Sequence, residues 1–356
     1  MSPGAQRRHP DERDIRVRPN PKGSRPRTKD RPEHRDAVLG RVLTIDRGRY
    51  TALVDEGGDE RVVVAMKARE LGRASIAVGD RVGLVGDATG APDTLARVVR
   101  VETRATLLRR TADDTDPVER VLVANADQLL VVTAVADPPP RQRLVDRCLA
   151  AAWDAGIQPV LCLTKADLGD PAQALAAWAS LDVPFLVLSR RPDGSLEGLD
   201  AVRERLVGHE SVLVGPSGVG KSTLVNALVP TALRATGGVN ASTGRGRHTS
   251  SSAIALRLPA GEHSGEGSGA GWVVDTPGVR SFGLAHVDPN RLVGAFGDLE
   301  PGTEGCPRGC SHDEADCALD AWVASGAAGP AGAARLESLR RLLRSRAGEG
   351  DEADRS

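Results

Sequence analysis

The stretch Ser211-Val-Leu-Val-Gly-Pro-Ser-Gly-Val-Gly-Lys-Ser-Thr223 determines how the rest of the chain is interpreted. An apolar run leads directly into the spacing G-x-x-x-x-G-K-S, and the residues after Ser222 can begin a helix. Glycines let the backbone fold so that its N–H groups point inward, and a helix N-terminus favours negative charge. The stretch therefore predicts a strand, a phosphate-binding loop and a helix. The alternative is a chance glycine-rich turn.

Two side chains of this loop have the predicted chemistry. Lys221 is placed to reach the β- and γ-phosphates of a nucleotide, which gives it a binding and a catalytic role. The Ser222 hydroxyl is placed to hold a Mg²⁺ ion that bridges these phosphates. The predicted nucleotide contacts of the loop are Gly215, Pro216, Ser217, Gly218, Val219, Gly220, Lys221, Ser222 and Thr223.

The composition limits the class of protein. A chain of 356 residues has room for two or three domains, and 40% hydrophobic with 2% aromatic residues predicts cores of Val, Leu and Ala. No apolar run approaches the roughly 18 residues of a membrane span, and the N-terminus lacks the apolar centre of a signal peptide. We therefore expect a cytoplasmic protein with no membrane partner. A free monomer is the default expectation for its oligomeric state.

Both ends of the chain are polar. Residues 1–36 contain eleven Lys/Arg against six Asp/Glu, together with six prolines. Residues 1–35 are therefore predicted to form a disordered basic arm, which either contacts nucleic acid or only keeps the protein soluble. Residues 347–356 are predicted to be a disordered acidic tail.

Residues 36–111 have the pattern of a small β-barrel. Apolar runs are separated by Gly and Asp turns, and five short strands favour the partly open OB-fold barrel that binds oligonucleotides. The strands are predicted at 37–45, 50–54, 61–65, 81–85 and 96–101. Tyr50 is the sole aromatic residue here, so RNA contact would depend on charge; a solvated surface is the alternative. The basic residues considered for that contact are Arg41, Arg47, Arg49, Lys67, Arg69 and Arg73.

From 112 to 285, apolar strands alternate with amphipathic helices. This alternation specifies a doubly wound, mostly parallel α/β sheet with its ligand at the carboxyl ends of the strands. The link 102–117 precedes it. Strands are predicted at 129–133, 158–163, 185–188 and 212–214, and helices at 141–155, 172–180 and 199–207.

The motif Thr164-Lys-Ala-Asp167 comes directly after the second of these strands. The Asp167 carboxylate can accept hydrogen bonds from the ring N–H and the exocyclic amine of guanine, which adenine does not offer, and the Lys165 stem can pack along the base. Ser189 falls where a second base-contacting loop is expected; a turn or helix cap is the alternative. Thr164, Lys165, Asp167 and Ser189 are thus predicted GTP contacts.

Residues 231–252 have no periodicity and end in Gly244-Arg-Gly-Arg-His-Thr-Ser-Ser251. A flexible, hydroxyl-rich segment after the first helix of the nucleotide site suits a switch, in which Thr249 or Ser250 meets Mg²⁺ and the γ-phosphate. An unconstrained surface loop is the alternative.

Strands predicted at 253–258 and 272–274 lead into Asp275-Thr-Pro-Gly278. Asp275 suits a water-mediated Mg²⁺ contact, and Gly278 offers a backbone N–H to the γ-phosphate. Val279 follows, where many GTPases have a glutamine that orients the attacking water. Valine cannot do this, so His248 is the candidate catalytic group; contact with RNA or protein is its alternative.

The last motif is Cys306, Cys310, His312 and Cys317. Three thiolates and one imidazole satisfy a tetrahedral Zn²⁺ without an open position, which predicts one structural zinc ion; unrelated thiols are the alternative. Cys148 and Cys162 are predicted to be core residues. Residues 333–347 have the pattern of an amphipathic helix with five arginines, which either packs on the zinc module or contacts RNA.

The order of the motifs differs from that of most GTPases, in which the guanine-reading motif comes last. Here the segment 164–167 precedes the phosphate loop, which precedes Asp275. A circular permutation explains this order, because the ends of compact domains often lie close together.

The barrel, the permuted motifs, the Gly-Arg-Gly-Arg-His-Thr switch and the Cys-Cys-His-Cys module together resemble the RsgA/YjeQ family of ribosome small-subunit-dependent GTPases. The resemblance covers 36–346 and includes Ala124-Asn-Ala-Asp-Gln128. It implies an OB-fold barrel (36–111), a circularly permuted GTPase domain (112–285) and a zinc-binding helical module (286–346). Thr164 stands where that family usually has Asn, and the first and last gaps between zinc ligands are one residue shorter.

The resemblance also implies a function. The protein is expected to bind the small ribosomal subunit and its 16S rRNA late in assembly and to hydrolyse GTP to GDP with stimulation by the subunit, His248 replacing the glutamine. Three other hypotheses are possible. The protein could be an RNA-binding scaffold with a structural nucleotide, or a P-loop ATPase or kinase with a zinc module. It could also be a GTPase that acts on another partner, such as the large subunit or a metallochaperone client.

Overall fold

One continuous sheet of eleven strands links two parts of the chain in the computed structural model. The structure describes residues 34–72, 74–111, 119–230, 253–259, 271–277, 282–284 and 286–347. The predicted switch segment lies outside the described residues, as do residues 1–33 of the predicted basic arm and 348–356 of the predicted acidic tail. No helix within the described ranges is long and apolar enough to cross a membrane.

The first five strands close into a barrel. Strand β1 pairs with both β2 and β4, and the ring is completed by β2–β3, β3–β5 and β5–β4 pairs. Residues alternate along β3, where Val63 and Ala65 are fully buried while Val62 is half exposed. The predicted five-stranded barrel is thus confirmed. Its strands are β1 (Val38–Asp46), β2 (Arg49–Val54), β3 (Arg61–Lys67), β4 (Arg81–Gly86) and β5 (Ala96–Val101).

The remaining strands of the large sheet form the predicted α/β layer, in the order β10-β9-β8-β13-β15-β14. The first five are parallel and β14 is antiparallel to β15. All of β8 is buried, with Leu129 and Val131 in the core on one face and Leu130 and Val132 in the core on the other. These strands are β8 (Gln128–Ala134), β9 (Gln158–Thr164), β10 (Phe185–Val187), β13 (Glu210–Val214), β14 (Ile254–Arg257) and β15 (Trp272–Asp275).

Helices cover both faces of this layer. Helix α1 contributes to the same core as the C-terminal helices, whereas α3 and α4 contribute to the core of the opposite face. The helices are α1 (Gln142–Asp154), α2 (Pro171–Leu175), α3 (Leu199–Leu206), α4 (Lys221–Leu228), α5 (Pro289–Gly294), α6 (Ala318–Ala324) and α7 (Gly332–Ala347).

Two local predictions differ from the structure. The helix expected at 172–180 is α2 followed by a 3₁₀ turn, Ala176–Trp178, and this turn buries Trp178, whose indole N–H donates to Asp146 Oδ1 at 2.8 Å. The link expected at 102–117 contains strand β6 (Leu107–Arg110), which pairs with β7 (Arg120–Ala124). A two-stranded ribbon is stabilised by pairing of its strands, and a strand of four residues is too short to show a clear alternation of apolar and polar residues.

Arg41 joins the barrel to the α/β layer. It is 3% exposed, and its guanidinium donates to Glu210 at 2.7 Å and to Glu56 at 3.3 Å while lying over the Trp272 ring, 4.6 Å from its centroid. Trp272 Nε1 also donates to Glu56, at 2.9 Å. The prediction of Arg41 as a nucleic-acid contact was therefore wrong, because its guanidinium is buried and pairs with Glu210 and Glu56 within the protein.

The other basic residues considered for RNA contact have different surroundings. Arg47, Arg49 and Arg69 are exposed on the barrel, whereas Lys67 is half-buried and donates to the Ala74 carbonyl at 3.1 Å. Arg73 lies outside the described residues. The three exposed arginines are therefore the best placed of the set to meet a polyanion.

Helix α7 packs on the protein through its leucines. Leu336, Leu339, Leu342 and Leu343 are buried against the core that includes α1. The packing alternative from the sequence is thus confirmed for this helix. Its five arginines have partners within the chain: Arg335 with Asp298 and Asp182, Arg340 with Asp320, Arg341 with Asp146, Arg344 with Glu337, and Arg346 with the Val287 carbonyl.

Arg147 connects the segment that follows β15 to the C-terminal helix. This α1 residue is 6% exposed; its Nε donates to the Phe282 carbonyl and its Nη1 to the Ser345 carbonyl, each at 2.5 Å. Phe282 is itself buried. The guanidinium therefore satisfies two buried carbonyls that come from distant parts of the chain.

Replacing Arg147 by methionine should destabilise the protein, because both carbonyls lose their donor. At roughly 1–3 kcal/mol for each of the two buried groups left unsatisfied, we expect a loss of about 2–6 kcal/mol, measured as a lower urea midpoint. Arg109→Met is the control, since Arg109 pairs with Glu119 where both side chains are more than 40% exposed, and should change stability by about 0.5 kcal/mol or less. Equal midpoints for the two variants would contradict this account.

Candidate functional site

The phosphate loop lies against the middle of the sheet. It joins β13 to α4, and a Cβ at Gly215 would lie 2.3 Å from the Val132 carbonyl oxygen of β8, so no side chain fits there. Gly220, just before α4, has φ +88°, which L side chains rarely adopt. Ser217, Gly218, Ser222 and Thr223 are exposed. The loop thus has the shape and the access that the sequence predicts for a phosphate site.

Lys221 links this loop to the end of β15. Its Nζ donates to Asp275 Oδ1 at 2.7 Å and also to the Thr276 carbonyl, and the side chain is nearly buried. The Thr276 hydroxyl donates to the Leu213 carbonyl at 2.7 Å, which holds the start of the 275–278 motif beside β13. The two predicted phosphate-binding motifs are therefore brought into direct contact.

The predicted base-reading residues lie at the carboxyl end of β9. Asp167 is exposed, and its Oδ1 accepts a hydrogen bond from the Arg190 backbone N–H at 2.9 Å, which lowers the pKa of the carboxyl and keeps it ionised at neutral pH. Ser189 and Arg190 form β11, which pairs with β12 (Leu196–Glu197). Asp167 and Ser189 thus meet at one edge, as the sequence predicts.

Thr164 is oriented differently from Asp167. Its side chain is buried, and Oγ1 lies 2.5 Å from the carbonyl oxygen of Val219 in the phosphate loop. Lys165 adopts φ +56°, and its Nζ donates to the Asp137 carbonyl. The structure therefore buries Thr164 while leaving Asp167 exposed and Lys165 half-buried.

The loop after β8 is a part of the site that sequence reasoning missed. Besides the Asp137 carbonyl that accepts from Lys165, this loop places the Pro138 ring 3.7 Å from a Cβ built on Gly218. The sequence could have indicated this loop, because Asp137-Pro-Pro-Pro140 directly follows a buried parallel strand. The carboxyl end of that strand lies at the same edge of the sheet as the phosphate loop.

Four predicted site residues lie outside the described ranges. They are the proposed catalytic His248, the two proposed Mg²⁺ ligands Thr249 and Ser250, and Gly278. The roles of these residues remain sequence-based predictions.

The second site is a cluster of three cysteines and a histidine. The potential ligand atoms of Cys306, Cys310, His312 and Cys317 all lie within 4.8 Å of one another. The Cys306 and Cys317 sulfurs are 3.9 Å apart, and His312 Nδ1 lies 3.6 Å from the Cys306 sulfur. Two thiolates on one tetrahedral Zn²⁺ would be about 3.8 Å apart, so this cluster can hold a metal ion of that kind.

Surrounding residues fix this cluster. Arg340 Nε donates to the His312 carbonyl at 2.8 Å while its two terminal nitrogens donate to Asp320 at 3.0 and 2.7 Å. Glu314 accepts from the Ser311 backbone N–H at 2.9 Å. Burial lowers the pKa of His312, which favours the neutral imidazole that a metal requires. The ligand loop is therefore tied to α6 and α7.

Cys148 and Cys162 lie apart from this cluster. Both are buried in the core, and burial raises the pKa of each thiol to about 12. Their prediction as core residues is confirmed.

A phosphate loop on a mostly parallel sheet, preceded in sequence by a guanine-type motif and followed by Asp275, defines a circularly permuted P-loop GTPase. The family model described as RsgA GTPase matches residues 101–285. A protein of Gemmatimonas aurantiaca named small ribosomal subunit biogenesis GTPase RsgA is 34% identical over 312 residues, 86% of this chain and 96% of that protein. The chain belongs to the RsgA GTPase family.

Other relatives agree with this placement. A Pseudomonas aeruginosa protein of the same name is 38% identical over 63% of this chain and 64% of that protein. Among solved structures, YjeQ from Thermotoga maritima has a TM-score of 0.59 at 24% identity and covers 88% of this chain and 99% of that one. YloQ, titled a circularly permuted GTPase, has a TM-score of 0.58 at 21% identity, with coverage of 89% and 97%. The structures share the fold.

Thiol titration at pH 8 should separate the two groups of cysteines. After treatment with a metal chelator, we expect three of the five thiols to react with a disulfide reagent, because Cys148 and Cys162 are enclosed in the core, whereas Cys306 and Cys310 are partly exposed and the Cys317 sulfur lies 3.9 Å from that of Cys306. Raising the pH should accelerate reaction of the buried pair, and denaturant should expose all five. As a control, Cys317→Ser should leave two fast thiols. Five fast thiols in the folded protein would contradict this assignment.

Proposed function

We propose that this protein is a cytoplasmic GTPase that binds the small ribosomal subunit, hydrolyses GTP to GDP and phosphate with stimulation by that subunit, and acts late in subunit assembly. The observation that supports the hydrolytic part is the direct contact of Lys221, in the phosphate loop, with Asp275. The names of the relatives support the ribosomal part.

Lys221 has to exchange partners when GTP binds. It would leave Asp275 and the Thr276 carbonyl for the β- and γ-phosphate oxygens, and this frees the Asp275 carboxylate for a water on Mg²⁺. The Ser222 hydroxyl is exposed at the start of α4 and would hold the ion directly. When bound, Mg²⁺ neutralises charge that develops on the phosphates.

Base selection falls to Asp167. Its ionised carboxylate accepts from the two guanine donors, with Lys165 packed along the base and Ser189 at the neighbouring edge. The phosphate loop contacts are those predicted from the sequence, and Gly278 would supply a backbone N–H to the γ-phosphate.

Water activation is assigned to His248, and the remaining Mg²⁺ contact to Thr249 or Ser250, because Val279 cannot orient water. These assignments depend on the sequence motif and the family. If His248→Ala leaves subunit-stimulated turnover unchanged, His248 instead has a contact role.

The flanking parts serve the ribosomal partner. We propose one structural zinc ion on Cys306, Cys310, His312 and Cys317, with residues 286–346 as the module that it holds together. Residues 36–111 are the RNA-binding barrel, whose exposed Arg47, Arg49 and Arg69 would meet 16S rRNA, and 112–285 are the GTPase domain. The free protein is proposed to be a monomer.

Lys221→Ala should reduce GTP turnover by about 100-fold or more, because the phosphates lose a positioned cation. The measurement is phosphate release at saturating GTP. Lys67→Ala, which removes a lysine from the barrel, should retain the full rate. Undiminished turnover in Lys221→Ala would remove the catalytic assignment, and bound GTP that never turns over in the unmodified protein would favour a scaffold.

Asp167→Asn should shift the base preference from guanine to xanthine. The asparagine amide donates to the second carbonyl of xanthine and its carbonyl accepts from the ring N–H, whereas guanine offers two donors. Competition binding should show at least about a 100-fold change in the ratio of GTP to XTP affinity. A protein that binds ATP as well as GTP before the substitution would contradict the assignment of Asp167.

Sedimentation with purified subunits tests the partner. With a non-hydrolysable GTP analogue present, the protein should pellet with small subunits and not with large ones. Replacing Arg49 and Arg69 together by Glu should weaken this association and flatten its salt dependence, because both are exposed cations. Pelleting with large subunits alone would contradict the proposed partner.

A further inference from the structure

Thr164 does not occupy the position of a base contact. Its side chain is 6% exposed, beneath the phosphate loop, whereas Asp167, three residues later, is exposed. Thr164 Oγ1 lies 2.5 Å from the Val219 carbonyl oxygen and 3.3 Å from the Thr133 carbonyl oxygen. A hydroxyl has one hydrogen to donate, and the shorter distance assigns it to Val219.

We propose that Thr164 is a positioning residue that ties the phosphate loop to the end of β9 and makes no contact with the base. This inference rests on the proposed function, because the loop it fixes is the proposed site for the phosphates of GTP. It assigns to Thr164 a role in holding the loop that is separate from the guanine selection by Asp167.

The hydrogen bond from Thr164 acts on the peptide unit that joins Val219 to Gly220. A trans peptide is planar, so the Val219 carbonyl and the Gly220 N–H point in opposite directions. Holding the carbonyl against Thr164 therefore turns the Gly220 N–H away from β9 and fixes the first N–H that leads into α4. The Gly220 carbonyl is in turn held by the Leu224 N–H at 2.9 Å.

Packing supports the same role. A Cβ built on Gly220 would lie 3.7 Å from Thr164 Oγ1 and 3.8 Å from Thr164 Cβ, so the threonine side chain packs directly against this glycine. The Val219 side chain is buried in the core on the same face as α4. Val219 as a whole is 1% exposed, and among the described residues Thr164 supplies the hydrogen bond to its carbonyl.

The proposal separates phosphate affinity from base selectivity. Thr164→Val keeps the shape but removes the hydroxyl, and we expect affinities for GDP and GTP to fall together by about 5–10-fold, since a net hydrogen bond is worth about 1 kcal/mol. The ratio of GTP to ATP affinity should not change. Thr164→Ser, which restores the hydroxyl, should return both affinities towards those of the unmodified protein.

Titration with fluorescent GDP, and competition with GTP and ATP, would measure these values. Asp167→Asn is the matched control, because it should change the base preference and leave the loop fixed. Cys162 lies on the same strand as Thr164, so an unreactive Cys162 thiol would show that the valine variant remains folded. Unchanged nucleotide affinity in Thr164→Val would overturn the proposal, and so would a selective loss of guanine preference.

A second measurement needs no nucleotide. In hydrogen exchange of the nucleotide-free protein, peptides that span 213–224 should exchange several-fold faster in Thr164→Val than in the unmodified protein or Thr164→Ser. Equal exchange in all three would overturn the tether even if GTP binds well. If the unmodified protein does not bind GTP, the proposed function fails, while the exchange experiment still decides whether Thr164 fixes the loop.

Discussion

The ion pair between Lys221 and Asp275 lies where three parts of the structure meet. It joins the phosphate loop to the carboxyl end of β15, whose other end begins at Trp272 in the Arg41–Glu56 cluster of the barrel. The chain beyond Asp275 leads to Phe282, whose carbonyl is held by Arg147. Any rearrangement that follows the release of Asp275 by Lys221 therefore begins at the end of a strand whose first residue, Trp272, packs in the Arg41–Glu56 cluster.

The contacts on either side of the nucleotide site are made by two buried arginines, Arg41 and Arg147, whose hydrogen bonds fix the positions of their partners. Removing Arg147 would leave the Phe282 and Ser345 carbonyls without this buried donor, and removing Arg41 would take from Glu210 its hydrogen bond of 2.7 Å, while Glu56 would keep its bond from Trp272. The barrel and the C-terminal module are thus held in fixed positions relative to the nucleotide site. The circular permutation makes this possible, because in the sequence Asp275 is followed within about 30 residues by the module that carries the cysteine and histidine cluster.

The features that could be predicted from the sequence are local ones. The phosphate loop, the barrel strands and the cysteine cluster are specified by residues close together in the chain, and each appears in the structure as predicted. Contacts between distant residues could not be predicted: Arg41 has no local signal that marks Glu210, 169 residues away, as its partner. Thr164 likewise follows the apolar strand as a base contact would, and its orientation depends on Val219, 55 residues later. Burial and pairing override what an arginine or threonine indicates alone.

We propose that the small ribosomal subunit stimulates GTP hydrolysis at this site. The most direct test of this proposal is steady-state hydrolysis of GTP and of ATP by the purified protein, alone and with equimolar small or large subunits. The account predicts slow basal hydrolysis of GTP that rises many-fold with small subunits only, and no turnover of ATP. A GTPase rate that stays the same with small subunits present, while GTP remains bound, would contradict it.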